Sequence, residues 1–278
     1  DRFHVTTTTG GAPRVLMMME DYLQTEWPEL DVWLTSTTEQ WAVVAIQGPE
    51  AREVIAPLVA GVDLSTAAFP HMSVADCRIL GLPGRLFRVS FTGELGYELN
   101  VPADYGAALW DALLARAEAL GGCAYGTETM HVLRAEKGYI IVGQDTDGTL
   151  TPADAGLARA VGKSKPDFVG KAGMARPDLT GPHRKEIVGL LPDDPKCVLD
   201  EGAQITAEAN PAKGAHALGH VTSAYWSANV GRGIALAMVE GGRSRMGTKL
   251  HVPMPTGPIA VTVVDPVFWD KEGKRLDG

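Results

Sequence analysis

Apolar and polar positions alternate, then recur at helical spacing, then alternate again, and the order of those changes predicts the elements. Phe3–Thr9 reads as a Thr-rich strand, with His4, Thr6 and Thr8 on one face and Val5 and Thr7 on the other. Gly10-Gly11 breaks it, and Pro13 sits where a first helical turn tolerates it. Leu16, Met19 and Leu23 are spaced for one helix face, and the Met17-Met18-Met19 run reads as core filling. Val32–Thr37 and Trp41–Ile46 read as strands around a polar turn. Gly48-Pro49 opens a helix carrying Val54, Ile55 and Leu58. Ser73–Leu80 and Arg85–Thr92 form a predicted hairpin around Gly81-Leu82-Pro83-Gly84, and Tyr97–Val101 is the next strand. Asp104 is placed to cap a helix with Leu109, Leu113, Ala117 and Leu120 on its buried stripe, ended by Gly121. Thr127–Lys137 reads as another helix, stopped by Gly138.

Residues 143–185 are rich in Gly, Asp and Pro and read as a long connection. From Lys185 helical periodicity nearly vanishes. Ile187–Leu191, Ala203–Ala209, His216–Ser223, Gly233–Val239, Lys249–Val252 and Ile259–Val264 are short strands at close spacing, the pattern of a small β-barrel or sandwich. The expected fold class is α+β, with an α+β region over residues 1–184 and a β-barrel over 185–278.

Composition narrows the function classes. The chain has 278 residues, 34 acidic against 25 basic side chains, and a formal net charge of −9. No basic run provides a footprint for nucleic acid. No apolar run is long enough to span a bilayer, and no signal peptide is recognisable. Cys77, Cys123 and Cys197 are far apart and form no metal-ligand spacing; they read as free buried thiols of a reducing, cytoplasmic compartment. The sequence opens at Asp1 and its first methionine is Met17, so a processed start or a place within a longer polypeptide is expected.

Several familiar chemistries fail on spacing. Gly156 stands one residue too far from Gly162-Lys163-Ser164 for a phosphate-binding loop. No GxGxxG and no GxSxG occurs. Asp145-Thr146-Asp147-Gly148 lacks the glutamate a calcium loop needs and reads as a solvated turn. No metal site is expected.

Four stretches remain: Trp41-Ala-Val-Val-Ala-Ile-Gln-Gly-Pro49, Phe91-Thr-Gly-Glu-Leu-Gly-Tyr-Glu98, Leu133-Arg-Ala-Glu-Lys-Gly138, and Val221-Thr-Ser223 with Gly231-Arg232. In this order they resemble the folate-binding aminomethyltransferase family, typified by the T-protein of glycine cleavage. Within it, Thr6-Thr-Thr-Thr-Gly-Gly11, Leu23-Gln-Thr-Glu-Trp-Pro-Glu-Leu-Asp31, Tyr125–Gly138 and Val142-Gly-Gln-Asp-Thr-Asp-Gly148 resemble the C-terminal part of alpha subunits of heterotetrameric sarcosine oxidase. The resemblance covers essentially the whole chain. It implies an aminomethyltransferase-like folate-binding cloverleaf with a C-terminal β-barrel, lacking the family's first strands. It implies tetrahydrofolate as ligand, with FAD, FMN and NAD only in other parts of the complex, and other sarcosine oxidase subunits as partners. The implied chemistry transfers the one-carbon unit of oxidised sarcosine to tetrahydrofolate, giving glycine and 5,10-methylenetetrahydrofolate.

The resemblance also implies site residues. Glu98 matches the glutamate that takes two pterin N–H donors, a task suited to an acceptor-only carboxylate. By spacing alone it reads as a surface strand glutamate paired with a lysine. Phe91 falls where the family often has Tyr, and it either packs on the pterin or fills the core. Arg134 matches the arginine of the family's LRxExG helix and is expected to bring positive charge beside the folate, or else a helix-surface salt bridge with Glu128 or Glu136. Glu136 and Lys137 read as structural. His4, Thr6 and Thr8 match pocket-lining positions, Thr8 near an Asn of the T-protein. Tyr225 and Arg232 lie in the barrel segment that closes over the folate, Arg232 meeting the ligand's glutamate tail or a nearby Asp. The family's catalytic Asp lies upstream of the Thr-rich strand. Neither Asp1 nor Asp21 stands in the matching context, so no catalytic residue is assigned. A folate-binding or docking module without chemistry, and a T-protein-like aminomethyltransferase, are the alternative readings.

Overall fold

A computed structural model describes residues 2–277, so Asp1 lies outside the described residues. The chain forms two compact units, one of residues 1–89 and 96–123, the other of residues 90–95 and 124–278.

The first unit holds a five-stranded antiparallel sheet in the order β1-β5-β4-β3-β2, from β1 (Trp41–Gln47), β2 (Val59–Ala60), β3 (Ser73–Ile79), β4 (Leu82–Arg88) and β5 (Gly96–Pro102). Alternation sets its two faces. Tyr97, Leu99 and Val101 of β5, with Leu86 and Ile79, are buried. They share the core with Val54 and Ile55 of α2 (Ala51–Ile55) and Leu109 and Leu113 of α3 (Gly106–Ala119). Glu98 and Asn100 belong to the other face. The β3–β4 turn is shorter than its Gly-Leu-Pro-Gly sequence suggests. Leu80 and Gly81 both have positive φ and make a two-residue turn, so Pro83 and Gly84 become strand residues paired with Arg78 and Cys77. Helix α3 starts from a 3-10 turn over Ala103–Tyr105 with no side-chain cap from Asp104. It ends where Gly122 N–H bonds Ala117 and Gly121 N–H bonds Glu118, with Gly121 at φ +82°. Leu120 therefore falls past the helix and is exposed.

Before β1 the structure departs from the sequence pattern. Helix α1 (Ala12–Thr25) forms as expected, but Met17 and Met18 are exposed rather than core. The strands expected over Phe3–Thr9 and Val32–Thr37 are not formed; Thr9 opens a 3-10 turn and Trp33 is 92% exposed. Alternation makes a strand only where a neighbouring edge supplies the hydrogen-bond ladder, and no ladder among the described residues includes these segments.

The second unit opens its main run with α4 (Thr127–Glu136). Gly138 follows at φ +67°; its N–H bonds Ala135 and that of Tyr139 bonds Arg134, closing the helix. The 143–185 connection holds only a 3-10 turn (Ala158–Ala160), α5 (Lys171–Met174) and α6 (Pro177–Thr180). Six strands follow: β6 (Lys185–Pro192), β7 (Gln204–Ile205), β8 (Gly219–Ser227), β9 (Arg232–Glu240), β10 (Lys249–Met254) and β11 (Gly257–Val264), in the order β10-β11-β6-β9-β8-β7. Thr206 and His251 exchange backbone hydrogen bonds of 2.8 and 2.9 Å, joining the β7 end to β10 and closing the sheet into a barrel. Val188, Leu190, Ile205, Val221, Ala235, Val252 and Val263 fill it. Ile234 and Leu236, on the other face of β9, pack with Ala135 of α4.

Candidate functional site

In the first unit the candidate group is Glu98. Its Cα faces Ala45 of β1 and Phe87 of β4. The carboxylate is more than half buried, and burial pushes its pKa up from the ordinary glutamate value. Among the described residues it has neither hydrogen bond nor ion pair, so the lysine partner of a plain surface glutamate is absent. His4 lies 5.7 Å from Phe87, ring to ring, which places it beside the strand position opposite Glu98. Thr6 and Thr8 stand in the same extended segment, without the strand that was to give them one face.

In the second unit α4 meets β8 through a buried polar network. Arg134 and Asp145 form an ion pair with neither side chain exposed. Asp145 Oδ2 also accepts the Ile141 N–H at 2.8 Å, and Oδ1 accepts the hydroxyls of Thr222 (2.6 Å) and Ser223 (2.7 Å). Arg134 donates to Ser223 Oγ at 2.6 Å and Tyr139 O at 3.1 Å, and its guanidinium carbon lies 5.9 Å from the Tyr225 ring centroid. Adjacent strand residues normally point to opposite faces. Thr222 and Ser223 reach one carboxylate because β8 carries a bulge there: Val221 pairs with Ala237 and Ser223 with Leu236, leaving Thr222 as the extra residue. Downstream, Ser223, Tyr225 and Ser227 share the outward face. Ser227 (2.5 Å) and Asn229 (2.7 Å) satisfy the buried Glu136.

Two expectations are corrected here. Arg134 is not a helix-surface residue paired with Glu128 or Glu136; its charge is met inside the unit by Asp145. Asp145 is not part of a solvated turn: it is 1% exposed, whereas Asp147, two residues on, is the exposed turn residue and accepts the Thr149 N–H at 2.8 Å. Asp145 was legible only as part of the Val142–Gly148 block, because no local pattern distinguishes a buried Asp from its solvated neighbour.

The remaining candidates lie nearby or apart. Phe91 stacks on Tyr139 with centroids 6.3 Å apart and planes at 22°. Burial, then the Asp270 charge, pushes the Tyr139 phenol up. Lys137 donates to Asp270 Oδ2 at 3.1 Å, and Arg275 pairs with Glu94 at 2.5 Å. Arg232 donates to the Pro192 carbonyl, not to an Asp. Thus Arg134 and Tyr225 come together, Phe91 finds Tyr139, and Arg232 is held by β6. The free thiols are more open than expected: Cys123 is exposed and Cys77 and Cys197 are half-buried. Among the described residues no group of three or more His, Cys, Asp or Glu side chains is placed to hold a metal ion, and no helix is long and apolar enough to cross a membrane.

The family profile for the GCVT N-terminal domain matches residues 1–165, and that for the glycine cleavage T-protein C-terminal barrel domain matches residues 185–270. The chain belongs to the glycine cleavage T-protein family. The sarcosine oxidase subunit alpha of Corynebacterium sp. (strain P-1) is 49% identical over 100% of this chain and 29% of its own length. That of Rhizobium meliloti (strain 1021) is 43% identical over 99% and 28%. An aminomethyltransferase of Symbiobacterium thermophilum is 32% identical over 87% of this chain and 63% of its own. The chain therefore spans less than a third of the sarcosine oxidase relatives. The crystal structure of the glycine cleavage system aminomethyltransferase T from Bartonella henselae superposes with TM-score 0.77 at 24% identity, covering 94% of this chain and 67% of that one. The fold is accordingly the aminomethyltransferase-like α+β fold with a C-terminal barrel.

Proposed function

We propose that this chain is the folate-binding part of a sarcosine oxidase alpha subunit, organised as a folate-binding region over residues 1–184 and a barrel over 185–278. The observation that carries the reading is Glu98. A carboxylate more than half buried and without a partner among the described residues is an unfavourable arrangement unless a ligand supplies donors. A pterin edge presents adjacent N–H donors, and an ionised carboxylate accepts two at once. The residues therefore fit the group. In the first unit Glu98 takes the pterin, with His4, Thr6 and Thr8 as candidate neighbours. Within the second unit, taken by itself, Phe91 and Tyr225 offer aromatic surfaces to a ring, and Arg232 offers a cation to an anionic group. Arg134, with its charge already met, acts by position. Bound tetrahydrofolate supplies the nitrogen that accepts a one-carbon unit; the chain's own part is to recognise and orient it.

In this reading the whole protein passes the one-carbon unit of oxidised sarcosine to tetrahydrofolate and leaves glycine, as 49% identity to a sarcosine oxidase subunit alpha supports. FAD, FMN and NAD belong to other parts of that complex, other subunits are the partners, and the compartment is the cytoplasm. Calorimetry with tetrahydrofolate tests the binding step. Heat with the wild type, lost in Glu98→Ala, is the expected result; absence of heat, or its persistence in Glu98→Ala, overturns the assignment. Assaying the parent complex on sarcosine with and without tetrahydrofolate tests the transfer. Formaldehyde release unaffected by folate overturns it.

A further inference from the structure

The Tyr225 side chain owes its position to groups outside its own strand. The bulge at Thr222 shifts the alternation of β8. Val221 and Ala224, three apart, both line the barrel core, and Tyr225 then falls on the outward face with Ser223. One oxygen of Asp145 accepts both bulge hydroxyls, at 2.6 and 2.7 Å. The other oxygen holds Arg134, whose guanidinium lies 5.9 Å from the Tyr225 ring centroid. The preceding residue reaches the far end of the ring. The Gln144 amide nitrogen stands 3.1 Å from Ser223 Oγ and from Glu201 Oε1, and 3.5 Å from the Tyr225 hydroxyl. Gln144 and Asp145 thus contact the hydroxyl end of the ring, its guanidinium neighbour and the bulge that sets its phase.

We infer that Asp145, seconded by Gln144, is a positioning residue that sets the pose of Tyr225 toward its ligand. The inference rests on the folate reading of Tyr225 and deepens it. Asp145 touches no ligand; it acts through the bulge and through Arg134. A strand that lost the bulge would turn Tyr225 to the barrel interior, because one residue of shift exchanges the faces.

A double-mutant cycle tests this, using the full chain and (6S)-tetrahydrofolate in calorimetry. Tyr225→Ala and Asp145→Asn are each expected to weaken binding about tenfold, and the double variant no more than either alone, since coupled residues are not additive. If Asp145→Asn loses its near-ultraviolet circular dichroism, Gln144→Met replaces it in the cycle, with a melting temperature close to wild type and about threefold weaker binding that vanishes in the Tyr225→Ala background. A purely structural role would lower the melting temperature without this non-additivity. Additive losses, or wild-type affinity in both Gln144→Met and Asp145→Asn, overturn the inference and leave the folate reading standing. A wild-type chain that binds no tetrahydrofolate overturns both.

Discussion

Arg134 and Asp145 form an ion pair in which neither side chain reaches solvent, and it joins helix α4 to the connection leading to the barrel. Such a pair is costly to break from one side, because the survivor keeps a buried charge without compensation. Arg134→Ala or Asp145→Ala is expected to destabilise the chain by about 3–5 kcal/mol. The Arg134→Met/Asp145→Leu double variant should lose less than either single change. Urea unfolding measures all three, and simple additivity would mean that the pair is not the unit.

Glu98 gives a pH-dependent prediction. Burial raises its folded pKa above the unfolded value, so the folded state holds the proton more tightly. Its ionisation therefore opposes folding: the penalty is absent at pH below the ordinary glutamate range and grows as pH rises through the raised folded pKa. Glu98→Gln should melt higher than wild type near neutral pH, and the difference should vanish at acid pH. The same substitution should weaken tetrahydrofolate binding by about 10- to 100-fold, the equivalent of losing hydrogen bonds to a charged group. Greater stability with weaker binding marks a site residue; a loss of both would mark a structural one.

Gly93 sits at φ +84°, and a Cβ there would collide with the stem of Lys137. Gly93→Ala should cost about 1–3 kcal/mol, from the backbone conformation and the clash together. It should also loosen the Lys137–Asp270 contact, seen as faster hydrogen exchange over residues 268–277. Unchanged exchange there would show that the lysine is not what holds the tail.

Gly219 of β8 meets the backbone of Met238 in β9, where a Cβ would strike the carbonyl oxygen. Gly219→Ala is expected to destabilise the barrel by about 2 kcal/mol or more, since overpacking against backbone cannot be relieved by a rotamer change. Gly121→Ala, with open space around it but φ +82°, should cost only about 1 kcal/mol. Comparing the two by thermal melting separates collision from conformation.

Where a pattern is local, the sequence sufficed. Alternation placed β5 with Glu98 on the face opposite Tyr97 and Leu99, and Gly138 marked the end of α4, because strand phase and a positive φ are properties of a few adjacent residues. Long blocks around Phe91–Glu98 and Leu133–Gly138 carried the family. Tertiary structure decided the rest. Phe3–Thr9 and Val32–Thr37 alternate but form no strand, since a ladder needs a second edge that alternation cannot supply. Asp145 and Asp147 look alike in a polar run, yet only the first is buried, because its charge finds Arg134 eleven residues back and two hydroxyls 77 and 78 residues ahead. Both those hydroxyls and the direction of Tyr225 depend on one extra residue in β8. That residue shows only against its partner strand, so the pose of the aromatic ring was decided by pairing across the barrel and not by the sequence of β8 itself.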